Sequence, residues 1–393
     1  MSQQLISHSS DLQRLVDEGF DIEVKAGHLL VKHVPYVNAK REVRFGILVS
    51  RLDLVADVTT TPSDHVVMFA GDAPCDANGS PLAQIINSSA HQLLAPGLEI
   101  DHTFSSKPSG GYPNYYDKMT TYIRIVFGPT QAIDPSASPT PFRVIEAQEE
   151  ESVFMYMDTA ASRAGIGLAS AKLAGGRVAI VGLGGTGSYI LDLVAKTPVA
   201  EIHLFDGDRF LQHNAFRSPG AASLDDLRQV SHKVSYFREK YSKMRRRIVP
   251  HAYNIDASNV EELDPMNFVF LALDKGAAKK AVVTALEQRG VPFIDVGMGL
   301  YELEGSLAGI LAVTTSTVDK RDHVWTKGRI AFSDGDVNNE YSRNIQIADL
   351  NALNAALAVI KWKKLCGFYQ DLEHEHFCVY TVDGNALTNE DQP

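Results

Sequence analysis

The stretch VAIVGLGGTGSYI at residues 178–190 constrains the fold more than any other part of the chain. Val178 to Val181 read as a buried strand, glycines follow at 182, 184, 185 and 187, and the spacing predicts a helix opening at Ser188. A strand that feeds a helix through a glycine turn begins a βαβ unit, which requires a mostly parallel sheet covered by helices. Glycine also lets the backbone approach a phosphate, while the free N–H groups and positive end of the next helix face the anion. The alternation continues with strand 201–205, helix 231–247, strand 268–273, helix 276–289 and strand 293–296. A further strand is expected at 305–314, a polar irregular stretch at 322–345 and a helix over 347–365.

At 393 residues the chain exceeds what one hydrophobic core holds, so two domains are expected. The boundary is written in PTQAIDPSASPTPF at 129–142, four prolines among small residues, followed by the acidic EAQEEE at 146–151. Residues 1–145 read as a smaller α+β domain, with a helix at Ser10–Gly19 and β-rich segments at 28–58 and 64–71; residues 155–393 read as the α/β domain. A formal net charge of −11 argues against general affinity for nucleic acid or anionic membrane. Three cysteines without a C-x-x-C spacing support neither a disulfide framework nor structural zinc, and no apolar leader or spanning segment is read. A cytoplasmic protein is expected.

The glycine loop alone suits nicotinamide and flavin dinucleotides as well as other nucleotides. Asp206 follows Gly182 by 24 residues at the end of EIHLFD, where a carboxylate can accept from a ribose diol. The discriminating stretch is DGDRFLQHNAFR, in which Asn214 and Arg217 stand six and nine residues past Asp208. A triphosphate would use both, because arginine clamps phosphate oxygens and opposes charge on departing pyrophosphate. Lys233 begins the helix HKVSYFREKYSKMRRR, and Asp274 ends the buried strand FVFLALD, where an oxygen ligand can hold Mg²⁺.

These residues, over 160–366, resemble the ThiF/MoeB and ubiquitin-activating enzyme superfamily: G-x-G-G-x-G, then D-x-D, N-x-x-R, a lysine and an aspartate after the next strand. The resemblance implies a Rossmann-like adenylation domain that binds ATP and Mg²⁺, with Gly182, Gly184, Gly185, Gly187, Asp206, Asp208 and Asn214 around the nucleotide. It gives Asp206 the ribose, Asn214, Arg217 and Lys233 the phosphates, and Asp274 the metal. Arg163 in TAASRAGIG stands where the family carries an arginine that reaches the nucleotide across a homodimer interface. The implied reaction is attack of a carboxylate, the C-terminal glycine of a ubiquitin-like or sulfur-carrier protein, on the α-phosphorus, with a conjugating enzyme as a further partner.

Two family features are missing. No C-x-x-C pair exists, and no cysteine lies between residues 76 and 365, so other residues fill the usual acceptor stretch at 315–345. The acyl adenylate is then handed directly to a partner, taken by Cys75, Cys366 or Cys378, or taken by a hydroxyl such as Ser316 or Thr317 with a neighbouring base; hand-off is favoured. Three other functions remain open: an NAD(P)-dependent oxidoreductase, adenylation of a non-protein carboxylate such as a modified tRNA or a peptide, and a scaffold without turnover. The run KMRRR at 243–247 reads as a helix-end dipole partner or docking patch, Cys75 as an exposed thiol in a turn-rich loop, and 101–119 as a polar, aromatic loop that carries function. His374, His376 and Cys378 alternate on one strand face as weak candidate metal ligands.

Overall fold

The computed structural model describes residues 2–147, 149, 152–274, 276–332 and 345–392. They divide into two compact units, Met1–Ile145 with Met157–Gly165 and Glu146–Tyr156 with Ile166–Pro393, so the linker region contributes to both.

The first unit is α+β. Its antiparallel sheet runs in the order Asp21–Lys25, His28–Val37, Val43–Arg51, Val66–Ala70, Leu98–Ser105, Ile86–Ala95. The helix Tyr115–Phe127 starts where the Asn114 side chain accepts the Asp117 N–H at 2.8 Å, and it buries Tyr115, Met119, Tyr122, Ile123 and Val126 at helical spacing. The expected functional loop at 101–119 is therefore corrected: strand runs to Ser105 and helix from Tyr115. Its tyrosines bury their rings and bond their tips, Tyr112 to the Ser106 carbonyl at 2.9 Å and Tyr115 to the Asp53 carboxylate at 3.1 Å. Cys75 is fully buried rather than exposed, because backbone bridges to Val37 and Pro81 fold its loop inward.

The second unit holds strands β1 (Gly175–Val181), β2 (Val199–Phe205), β3 (Ile248–His251), β4 (Phe268–Leu271), β5 (Phe293–Leu303), β6 (Ser306–Ser316), β7 (Phe377–Thr381) and β8 (Ala386–Glu390). The sheet order is β3-β2-β1-β4-β5-β6-β7-β8. The first five strands are parallel and the last three extend the sheet antiparallel. Helices α1 (Gly185–Val194), α2 (Lys233–Ser242), α3 (Gly276–Arg289) and α4 (Ala348–Leu365) belong to this unit, and two apolar cores form on the sheet. The order in which strands are added reverses between β1 and β4, the switch point at which open α/β sheets bind ligands beyond the carboxyl ends of their strands. Val181 pairs with both Phe205 and Leu271, which brings the loops after β1, β2 and β4 to one edge.

Helix α1 opens at Gly185 rather than Ser188, and α2 stops at Ser242 rather than 247. The early stop corrects the reading of KMRRR. Arg245 is fully buried and donates to the carbonyls of Arg246, Thr197 and Val199 at 3.1, 3.2 and 2.6 Å. Arg246 donates to the carbonyls of Ser152, Phe154 and Ala147. These arginines are interior clamps, and burial lowers the Arg245 guanidinium to about 10. Among the described residues no helix is long and apolar enough to cross a membrane.

Candidate active site

The glycine turn is built by contacts that exclude side chains. Gly182 has φ +91°, donates its N–H to the Phe205 carbonyl at 2.8 Å, and would set a Cβ 2.4 Å from the Ala272 carbonyl. A Cβ on Gly187 would lie 1.9 Å from the Gly182 carbonyl, so α1 packs onto the loop that starts it. Gly184 caps α1 and faces open space, its nearest such neighbour being Gln346 Oε1 at 3.9 Å. The N-terminus of α1 thus starts beside the open face of Gly184, the geometry of an anion cradle.

Around this cradle the structure gathers most of the residues singled out in the sequence. Asp206 is buried, its side chain 6% exposed, and its carboxylate accepts from the N–H groups of Leu183 and Asp208 at 2.7 and 2.9 Å and from Lys233 Nζ at 3.3 Å. Lys233, the first residue of α2, also donates to Asp208 at 2.7 Å, and the Asp208 side chain is 70% exposed. The inner aspartate therefore shapes the loop while the outer one faces solvent. Asn214 is buried, and its Oδ1 accepts the Leu211 N–H at 2.8 Å, closing the short helix Gln212–Ala215. Its carbonyl accepts the Arg217 N–H at 3.1 Å. The Arg217 Nε is buried and finds no hydrogen-bond partner among the described residues.

Two residues of this site went unread in the sequence. Asn351, in the first turn of α4 and fully buried, accepts from Thr186 Oγ1 at 2.9 Å and donates to the Arg217 carbonyl at 3.4 Å. It thereby joins the glycine helix to the arginine loop, and its amide fills the space a Cβ on Gly185 would need. Gln346 accepts the Gly185 N–H at 3.3 Å. The one available signal was Asn351 with Asn354, two amides three residues apart in a helix whose middle is alanine, leucine, valine and isoleucine.

Asp274 is exposed in the turn between β4 and α3. Lys279 in the first turn of α3 lies 2.9 Å from the buried Asp295 on β5; burial raises the Asp295 carboxyl and Lys279 opposes the rise. Arg163 lies in the first unit, where its guanidinium donates to the Asp17 carbonyl at 2.5 Å and pairs with the Asp17 carboxylate at 3.5 Å.

The candidate acyl acceptors lie away from the cradle. Ser316 pairs with Phe293, at the end of the sheet where the parallel strands begin, and donates to Glu287 at 2.9 Å. Thr317 has the required neighbouring base, its Oγ1 standing 3.2 Å from His376 Nε2, but at that same amino edge. There Thr317 and Cys366 line a cavity of about 500 Å³ with Gly175, Phe268 and Trp362. Burial raises the Cys366 thiol, and it raises Cys378 to about 11. Residues 333–344, within the expected acceptor stretch, lie outside the described residues. Among the described residues no group of three or more His, Cys, Asp or Glu is arranged to hold a metal, which removes the metal reading of His374, His376 and Cys378.

A family model described as "ThiF family" matches residues 160–322, and one described as "Domain of unknown function (DUF6791)" matches residues 10–159. The chain is 26% identical over 141 residues to ubiquitin-like modifier-activating enzyme 5 of Rattus norvegicus, covering 33% of this chain and 35% of that protein. The Gallus gallus enzyme of the same name is 26% identical over 145 residues, covering 34% and 36%. The match thus spans about a third of the length of these curated relatives. Among solved structures, E. coli MccB with ATP is similar at 18% identity and TM-score 0.44, covering 57% of this chain and 66% of that one. MccB in complex with N-formylated MccA is similar at 19% identity and TM-score 0.47, covering 57% and 67%. Residues 160–322 thus match the ThiF family and are preceded by a domain that matches a separate family over residues 10–159.

Proposed function

We propose that the second unit binds MgATP at the glycine cradle and adenylates a carboxylate, releasing pyrophosphate. The observation that carries this reading is the buried, unpartnered Arg217 Nε, joined through Asn351 to the glycine helix. A guanidinium cannot shed its charge, and a buried N–H without an acceptor is costly, so the site is built for an anion. A dinucleotide oxidoreductase gives Arg217 and Lys233 no task.

In this reading the N–H groups of α1 and the side chains of Arg217 and Lys233 hold the phosphate chain. Asp208, the exposed member of D-G-D, takes the ribose, because the Asp206 carboxylate is already bonded to its own loop. The donor chemistry at Asp274 fits Mg²⁺, a hard cation that needs one carboxylate beside phosphate oxygens. The metal would neutralise phosphate charge. A carboxylate oxygen forms a bond to the α-phosphorus as the α–β anhydride breaks, and the electron pair leaves on pyrophosphate. Catalysis then consists of in-line positioning and charge stabilisation.

The carboxylate we propose is the C-terminal glycine of a ubiquitin-like protein, a reading supported by the similarity to ubiquitin-like modifier-activating enzyme 5. Direct transfer of the adenylate to a partner is favoured, since Ser316, Thr317 and Cys366 lie at the opposite edge of the sheet and Cys75 lies in the first unit. A homodimer completed by Arg163 requires that residue to leave Asp17. Calorimetric titration tests the nucleotide: ATP with Mg²⁺ binds more tightly than NADH. Tighter NADH overturns the proposal.

A further inference from the structure

Resting on the nucleotide reading above, we infer that Gln346 is a built-in competitor for the phosphate chain and sets which nucleotides the cradle accepts. Its carboxamide oxygen accepts the Gly185 N–H at 3.3 Å, and Gly185 is the first residue of α1. That N–H is one of the donors a helix start offers to an anion. The same oxygen is the nearest group to the open face of Gly184, 3.9 Å from where a Cβ would stand. An uncharged amide oxygen thus sits where a phosphate oxygen would sit.

The consequences follow from what each ligand carries. A phosphate oxygen at Gly185 must displace Gln346, and it wins because an ionised acceptor bonds an N–H about twice as strongly as a neutral one. A nucleoside without phosphates has nothing to offer that N–H and leaves Gln346 in place. Gln346 therefore weakens every phosphate-bearing ligand through the bond it gives up at Gly185 and leaves adenosine untouched. It discriminates by the anion, whereas the proposed ribose contact does not. Asn351 is a different case: its amide is buried against Thr186 and Arg217 and holds the loops together with or without ligand.

The experiment compares MgATP and adenosine binding by calorimetry in the full-length chain and in two variants. Gln346→Ala should tighten ATP by roughly threefold, the modest end of one net hydrogen bond, with adenosine unchanged. Gln346→Glu places a carboxylate against the incoming phosphates and should weaken ATP by on the order of tenfold, again sparing adenosine. A structural role for Gln346 would move both ligands by the same factor, and that result overturns the inference. ATP binding by the wild type with no gain in Gln346→Ala overturns this inference alone. Failure of wild type and variants to bind either ligand overturns it together with the nucleotide reading on which it rests.

Discussion

The second unit handles two sets of positive charge in opposite ways. Each nitrogen of the Arg245 side chain donates to a carbonyl of the chain itself, and Arg246 does the same with three carbonyls of residues 147–154. Arg217 leaves a buried Nε unbonded, and Lys233 is held at the cradle by two aspartates, one of which faces solvent. In the sequence KMRRR is the louder signal, with four basic residues in five. The structure reverses the ranking, because a donor paired by the backbone is committed and a donor without an acceptor is available. Charge density therefore says little about a site, and unmet hydrogen-bonding capacity says more.

The largest effect that can break this contrast is catalytic. With a ubiquitin-fold protein ending in glycine as carboxylate donor, labelled pyrophosphate should exchange into ATP. Asp274→Ala should abolish exchange, and Arg217→Ala or Lys233→Ala should each lower it by about 10²–10³, the loss typical of a group that opposes developing charge. Exchange at wild-type rates in Arg217→Ala would remove the distinction between the two sets.

Stability should show the reverse pattern. Arg245→Met keeps an unbranched apolar stem but strands the carbonyls of Thr197, Val199 and Arg246, each costing about 1–3 kcal/mol when buried. Urea denaturation should report a loss of roughly 3 kcal/mol or more in that variant. Arg217→Ala should lose less than about 1 kcal/mol, since it also removes an unsatisfied donor. Equal losses in the two variants would make Arg217 a structural arginine as well.

A smaller effect comes from groups that can discharge. Both ring nitrogens of His323 are buried beside the Thr315 backbone without a well-formed hydrogen bond among the described residues. Burial lowers His323, His376 and His251 below their ordinary value of 6.5, so each imidazole is neutral in the fold. The unfolded chain then binds protons more readily than the folded one. Stability is complete above pH 6.5 and is lost as pH falls below it towards the depressed values. Thermal melts should show Tm falling by a few degrees between about pH 7.5 and about pH 5.5, less so in His323→Leu. A flat profile would mean the imidazoles gain partners in solution. The neutral option open to His323 is closed to Arg217, and this is why only the arginine points to a ligand.

Much of the second unit was legible because its signals are local. The run Val178–Val181, the glycines after it and the alternation through Phe293 specify strand, turn and helix within a few residues of themselves. Element ends were less legible. Helix α1 begins three residues early because Gly184 serves as its cap, and α2 ends early because Arg245 and Arg246 turn inward to carbonyls far along the chain. The tyrosines of 101–119 looked like a loop because their aromatic, polar composition is equally that of core residues with bonded tips.

By itself the sequence determined that a βαβ unit with a glycine turn exists and which charged residues follow it, since period and turn chemistry act over a single turn or strand. Only the tertiary structure decided which of those residues are available. Asp206 is occupied by Leu183, Asp208 and Lys233; Arg163 is engaged by Asp17; Arg217 has a donor to offer; and Asn351 and Gln346, more than 150 residues from the glycines they touch, belong to the cradle. Whether a polar group is satisfied depends on what packs across from it, and that is a property of contacts between distant segments.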